Sequence, residues 1–247
     1  MKKIIEVCAG SYEDCLSAAL GGAERVELNS ALSVGGLTPT VAALRRVKQD
    51  TDLQVVCMVR PRAAGFCYTE QEKRMMFEEA ELLLADGADG LAFGFLNADG
   101  SVDEESTGRM VDLIHRERRE AVFHRAFDVC RDAGGAMGLL ISLGVDRVLT
   151  SGQQAKAMEG RELLRQLHMD YGSRIQILAG SGVNETNAKD LMEYTGINQV
   201  HSSCKDYRED PTTVGEKVSY AYLPAPCERC YDVVSAEKVR RLVEACR

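Results

Sequence analysis

A fourfold glycine motif, strict alternation of short apolar runs with helical patterns, and a length of 247 residues together predict a (β/α)8 barrel. The motif is Gly, a small or branched apolar residue, Asp/Glu/Asn, any residue, then an apolar strand. Its copies begin at Gly22, Gly87, Gly144 and Gly196. Each ends a helical pattern at a residue able to take positive φ, as a helix C-cap does, and the chain turns directly into a strand. Between copies there is room for a helix, another strand and another helix.

Taken in order, the first strand is Ile4 to Cys8 and the second follows Gly22 as Arg25 to Asn29. Gly35-Gly36-Leu37-Thr38-Pro39 reads as a mobile loop, with Thr38 as N-cap and Pro39 at the first helical position. The third strand is Gln54 to Val59, the fifth Ala121 to Phe123 and the seventh Arg174 to Ala179. The motif copies at Gly87, Gly144 and Gly196 supply the fourth, sixth and eighth. Helical patterns cover Glu70 to Ala85, Glu104 to Arg118, Ala136 to Leu143, Ala155 to Met169, Thr186 to Tyr194 and Ala236 to Cys246. Such alternation implies a parallel sheet. An open doubly wound sheet is the competing arrangement, but no Gly-x-Gly-x-x-Gly follows the first strand and the fourfold regularity favours closure. The expectation is a single domain over 1–247 with its barrel core at 4–203. Residues 204–233, which contain Pro211, Pro224 and Pro226, form an irregular excursion in the last unit, and 234–247 a terminal helix.

Composition narrows the function. A net charge of -8 argues against nucleic-acid or anionic-membrane binding, which needs a basic face. No apolar run approaches a membrane span, and Glu6 comes too early for a secretory leader, so a cytoplasmic location is expected. The nine cysteines mostly lie inside strand or helix patterns and should be free thiols.

Strand parity then selects a site. Residues two apart share a face, and inward residues at the C-terminal ends reach the mouth where barrel active sites lie. Glu6 and Cys8 share one face of the first strand; Arg25, Glu27 and Asn29 share one of the second; Val56, Met58 and Arg60 share one of the third. His124, Arg125 and Asp128 follow the fifth strand, and His201 ends the eighth. Glu6, Glu27, His124, Asp128 and His201 are therefore the candidates for acid/base work or for a divalent metal. Arg60, Arg62 and Arg125, with Ser151 after the sixth strand, Gly180-Ser181-Gly182 after the seventh and Ser202 after the eighth, are the candidates for holding a small anionic, phosphorylated ligand. The opposing structural reading is an ionic plug in which Arg25 and Arg60 neutralise Glu6 and Glu27. No lysine at a strand end supports a Schiff base, no Gly-x-Ser-x-Gly elbow is present, and no nucleotide cofactor is expected. Cys8, Cys204 and the pair Cys227 and Cys230 have the softness Cu(I) prefers, although a lone C-x-x-C is weak evidence for a metal.

Six segments carry a family resemblance. Ile5-Glu6-Val7-Cys8, Gly21 to Leu28, Gly35 to Pro39, Met58 to Arg62, Phe123 to Asp128 and Arg147 to Gln153 resemble the CutC family, in consistent order from Ile4 to about Ser203. The resemblance implies a (β/α)8-type barrel, a cytoplasmic homodimer and a role in copper homeostasis, with Cys8 as a Cu(I) ligand. Where the family commonly has a cysteine as partner to the first-strand thiol, this chain has Asn29. Where it commonly has Gly-Gly-Asp-Phe, this chain has Ala63-Ala64-Gly65-Phe66.

Overall fold

All four motif glycines have left-handed backbone: φ is 90° at Gly22, 90° at Gly87, 81° at Gly144 and 79° at Gly196. The motif acids have a second task. Asp89 accepts the N–H of Val55 at 2.8 Å and Asp146 that of Ala121 at 2.8 Å. Each acid thus satisfies a donor at the start of the preceding strand while the glycine turns the chain into its own.

The structure, a computed structural model, describes residues 2–247. Its barrel units are β1 (Ile4–Ala9), α1 (Tyr12–Gly21), β2 (Arg25–Leu28), α2 (Val41–Asp50), β3 (Gln54–Met58), α3 (Glu70–Ala85), β4 (Gly90–Phe93) and α4 (Glu104–Arg116). They continue with β5 (Glu120–Phe123), α5 (Ala133–Ser142), β6 (Arg147–Thr150), α6 (Arg161–Tyr171), β7 (Gln176–Gly180), α7 (Ala188–Thr195) and β8 (Gln199–Ser202). β1 to β8 pair in sequence order and β8 closes on β1, a parallel barrel. The open doubly wound alternative is excluded.

Differences from expectation lie at helix starts and in the last unit. The N-cap of α2 is Thr40, two residues later than expected, because Thr38 is tied to the chain leaving β3: its N–H donates to the Arg60 carbonyl, and its hydroxyl accepts the Arg60 N–H at 3.0 Å and donates to Glu79 at 2.6 Å. α6 begins at Arg161 instead of Ala155, since 155–160 is a run of turns folded beneath the loop after β7; Ser181 Oγ donates to the Ala155 carbonyl at 2.8 Å. Residues 204–233 are not irregular throughout. β9 (Lys205–Glu209) and β10 (Cys230–Val234) pair as an antiparallel ribbon, and α8 (Ala236–Cys246) follows. Asp14 of α1 fastens this ribbon by accepting the buried Val234 N–H at 2.7 Å.

Two faces of the sheet are filled differently. The outer face packs Val7, Val26, Leu28, Val55, Cys57, Leu91, Phe93, Phe123 and Val148 against the helices. Inside, Val56, Met58, Ala92 and Val122 make a small apolar wall on one side. Apart from Leu149 and Leu178 on β6 and β7, the rest of the interior is mostly polar or charged. Register sets Glu6 beside Arg25 on one flank and His201 on the other, with Cys8 beside Glu27 one step higher. No helix among the described residues is long and apolar enough to cross a membrane.

Candidate functional site

The site has two storeys. The lower one is Glu6, 1 % exposed, whose Oε2 lies 2.6 Å from Arg25 Nε and 3.5 Å from Arg147 Nη2, while Oε1 lies 2.8 Å from His201 Nδ1. Arg147 also pairs with Glu120 at 2.8 Å, and Arg25 donates to Gln199 Oε1 at 2.7 Å. Burial opposes the Glu6 carboxylate, but Arg25, the His201 hydrogen bond and Arg147 outweigh it and hold its pKa well below the usual range. Glu6 is thus a fixed anion at the bottom of the site. Arg25 neutralises it as the plug reading expected. Arg60 does not neutralise Glu27; its guanidinium is turned to carbonyls.

Above lies a cavity of about 260 Å3, lined among others by Cys8, Glu27, Arg60, Phe66, His124, Arg125, Ser181, Gly182, His201, Ser203 and Lys205. On its floor, ligand atoms of Cys8, Glu27 and His201 lie within 4.8 Å of one another. They come from β1, β2 and β8, three strands adjacent in the closed barrel. Asn29 sits beside them. Its amide donates to Glu27 Oε1 at 3.1 Å, to the Glu27 carbonyl at 3.1 Å and toward Cys8 Sγ at 3.7 Å. Glu27 Oε2 has no partner. Burial raises the Glu27 pKa, and it raises that of the Cys8 thiol. Burial works against a cation at His201, but hydrogen bonds with Cys8 and Glu6 and the charge of Glu27 outweigh it and raise the imidazole well above its usual value. A cation arriving at the Cys8 thiol and the His201 imidazole would therefore compete with protons.

His124 is different. Its Nδ1 accepts the Ala126 N–H at 3.1 Å, burial beside Arg60 and Arg125 lowers its pKa to about 3, and its Nε2 is buried without a partner. The neutral ring therefore carries its proton on Nε2. Phe66 stands 4.9 Å away between ring centroids. Gly94 makes room for it, since a Cβ there would lie 2.6 Å from His124 Cε1.

Six of the expected site residues do not line this cavity. Glu6 lies beneath the floor. Asp128 ties down the loop after β6, accepting from Thr150 Oγ1 at 2.5 Å, Ser151 N at 2.9 Å and Gln153 N at 3.2 Å, and pairing with Arg125 at 2.7 Å. Ser151 is consumed in that knot, where its hydroxyl donates to the Gln154 carbonyl at 2.5 Å. Arg62 turns away to Glu72 and the Cys67 carbonyl. Ser202 points outward to the Val183 carbonyl at 2.6 Å, as the residue after an inward His201 must, and Ser203 lines the cavity in its place. Gly180 packs under the site: a Cβ there would meet Leu149 Cδ1 at 2.6 Å and His201 Cβ at 3.3 Å. Cys204, Cys227 and Cys230 do not line it either.

The sequence reading did not place Arg147, Gly94, Phe66 or Lys205 in the site. Arg147 was legible, because it follows its motif glycine by the same interval as Arg25. Lys205 is brought in by β9 and bound to Asp232 at 3.4 Å, a contact no strand-end rule anticipates.

Fold and site define a (β/α)8-barrel protein with a thiol, a carboxylate and an imidazole clustered beneath its mouth. A sequence model of the CutC family matches residues 3–206, and the chain belongs to that family. The CutC family protein of Treponema denticola is 43% identical over 247 residues, covering 99% of this chain and 100% of that one. Its Bacteroides fragilis counterpart is 39% identical over 225 residues, 87% of this chain and 88% of its own. The crystal structure of a Streptococcus agalactiae CutC, named for copper homeostasis, superposes with a TM-score of 0.77 at 28% identity, covering 81% of this chain and 98% of that chain.

Proposed function

We propose that this protein acts in copper homeostasis, as its Streptococcus agalactiae relative is named, and does so by holding one transition-metal ion at Cys8, Glu27 and His201. One observation carries the reading. The three ligand atoms cluster within 4.8 Å, and the third is already oriented, since Glu6 holds His201 Nδ1 at 2.8 Å and leaves Nε2 for the metal. Carboxylate–histidine pairs of this kind fix the tautomer and raise ligand basicity.

The donor set discriminates among ions. Cu(I) prefers thiolate and thioether ligands, and here only Cys8 and the imidazole suit it, with the Asn29 amide where a second thiolate would stand. One sulfur, one nitrogen and one oxygen, with a side open to the cavity, fit Cu(II) or Zn(II) better. A bound divalent ion would supply Lewis-acid polarisation to an oxygen in the mouth. The chain itself contributes orientation: Glu6 aims His201, and Asn29 holds one Glu27 oxygen while the other stays free.

The test is competition titration of purified protein with Cu(I) under anaerobic conditions, with Cu(II) and with Zn(II), each against a chelator. One ion per chain, bound more tightly as Cu(II) or Zn(II) than the thiol count alone would give and lost in Cys8→Ser and His201→Ala, is the expected result. Absence of saturable binding by any of the three ions, or binding unchanged in both variants, rejects the reading.

A further inference from the structure

The upper half of the mouth contains donors that the metal reading does not use. Three arginines are buried in this protein: Arg25, Arg60 and Arg147. Arg25 and Arg147 each face a carboxylate. Arg60, 5 % exposed, faces none among the described residues. It donates to the carbonyls of Val34 at 3.0 Å, Gly36 at 2.9 Å and Ala64 at 2.6 Å, and it borders the buried Tyr68 hydroxyl. A buried cation without a counter-charge is costly, and an anion in the cavity would offset that cost.

Beside it, His124 presents a buried Nε2–H with no acceptor. His124 lines the cavity, and a donor left without a protein acceptor is satisfied by water or by an acceptor on a ligand. Farther round the wall, Ser181 and Gly182 both have positive φ, 81° and 70°. Among the described residues the backbone N–H groups of Gly182 and Ser203 have no protein acceptor. A free backbone N–H at a glycine turn adds a donor for an anion. Arg125 and Lys205 stand at the rim, each held by an aspartate, Asp128 at 2.7 Å and Asp232 at 3.4 Å. Among the described residues Glu27, on the floor, is the only carboxylate lining the cavity. The wall thus offers donors from three directions and almost no acceptors.

We propose that this wall is an oxyanion subsite, which binds the phosphate or carboxylate end of a small metabolite through His124 Nε2–H, Arg60 and the Ser181–Gly182 turn. Such a ligand would place its other end toward Cys8, Glu27 and His201. A cavity of about 260 Å3 is smaller than most drug-sized sites and suits a compound of a few carbons. The inference shares its cavity with the proposed metal site and extends that reading to a substrate class, yet its donors are independent of the metal.

The experiment uses the full chain stripped of metal and kept in chelator. Inorganic phosphate and malonate are titrated in separate arms, at ionic strength balanced with sodium chloride, by calorimetry and thermal shift. Saturable binding of either, with a rise in melting temperature, is expected, because a ligand that binds only the folded state stabilises it. Phosphate alone assigns a phosphorylated ligand; malonate alone assigns a carboxylated one. His124→Phe keeps the aromatic contact with Phe66 and removes the donor, and should weaken the anion by about tenfold while metal affinity is retained. Cys8→Ser should do the reverse, losing metal and keeping the anion. No saturable binding of either anion, or equal affinity in folded His124→Phe, overturns the subsite whatever the metal does.

Discussion

Replacing Glu6 by Gln tests whether the lower storey is a structural base for the site. The substitution is nearly isosteric but removes the charge that Arg25 meets at 2.6 Å, Arg147 at 3.5 Å and His201 at 2.8 Å. Arg147 keeps Glu120 at 2.8 Å, so the loss falls mainly on Arg25, which is 3 % exposed and has no other carboxylate in contact. Breaking one partner of a buried pair costs about 3–5 kcal/mol. The glutamine oxygen still accepts one hydrogen bond, which places Glu6→Gln near 3, the lower end of that roughly 3–5 kcal/mol range. With an unfolding entropy of about 2.1 cal/mol/K per residue, such a loss lowers the melting temperature of a chain this size by about 6 °C. His201 also loses its orienting anion, so divalent-metal affinity should fall by about 10–100-fold. Thermal melting by circular dichroism and metal titration read the two effects. The double variant Glu6→Gln/Arg25→Met should recover part of the stability, since it removes the orphaned charge. If Glu6→Gln melts with the wild type and binds metal equally, the Glu6 base has no such role.

Three further outcomes follow from the same geometry. His124 has a folded-state pKa of about 3 against about 6.5 when exposed, so the unfolded chain binds more protons between those values. Its contribution is complete above pH 6.5 and is lost as pH falls, at a limit of about 1.4 kcal/mol per pH unit; urea unfolding at several pH values should show a shallower acid loss for His124→Phe, and parallel curves would count against a buried neutral ring. Asp128→Asn should lower stability by about 2–4 kcal/mol through the knot with Thr150, Ser151 and Gln153 while leaving metal affinity unchanged; a variant that keeps its melting temperature but loses the metal would return Asp128 to the site. Asn29→Cys sets a second sulfur next to Cys8, where the Asn29 amide now lies at 3.7 Å, and should shift preference toward Cu(I) in chelator competition; an unchanged preference would show that the two positions do not share an ion.

The barrel was legible because its signals are local and repeated. A glycine that must take positive φ recurs four times, twice followed by an aspartate that caps the preceding strand, and the period-two parity of short strands separates Cys8, Glu27 and His201 from the residues facing the helices. Parity also identified Glu6 as inward. Depth was not legible: periodicity says which way Glu6 points, but whether it lies in the mouth or beneath it depends on register between strands, which pairs it with Arg25 and His201 below Cys8 and Glu27. Loop residues were least readable. Asp128, Arg62 and Ser151 are near the mouth in sequence, yet local hydrogen bonds turn each of them into the loops, whereas Ser202 ends β8 and faces outward by the parity that turns His201 inward. Lys205 reaches the cavity only through the β9–β10 ribbon, a long-range pairing that no local pattern announces.

Anomalous diffraction from crystals of the protein loaded with Zn(II) or Cu(II) addresses the metal reading at its root. One ion should appear at the cavity floor, bonded to Cys8 Sγ, a Glu27 oxygen and a His201 ring nitrogen, with its remaining side facing the open mouth. Anomalous density at Cys227 and Cys230 instead, or a floor without an ion at saturating metal, would contradict it.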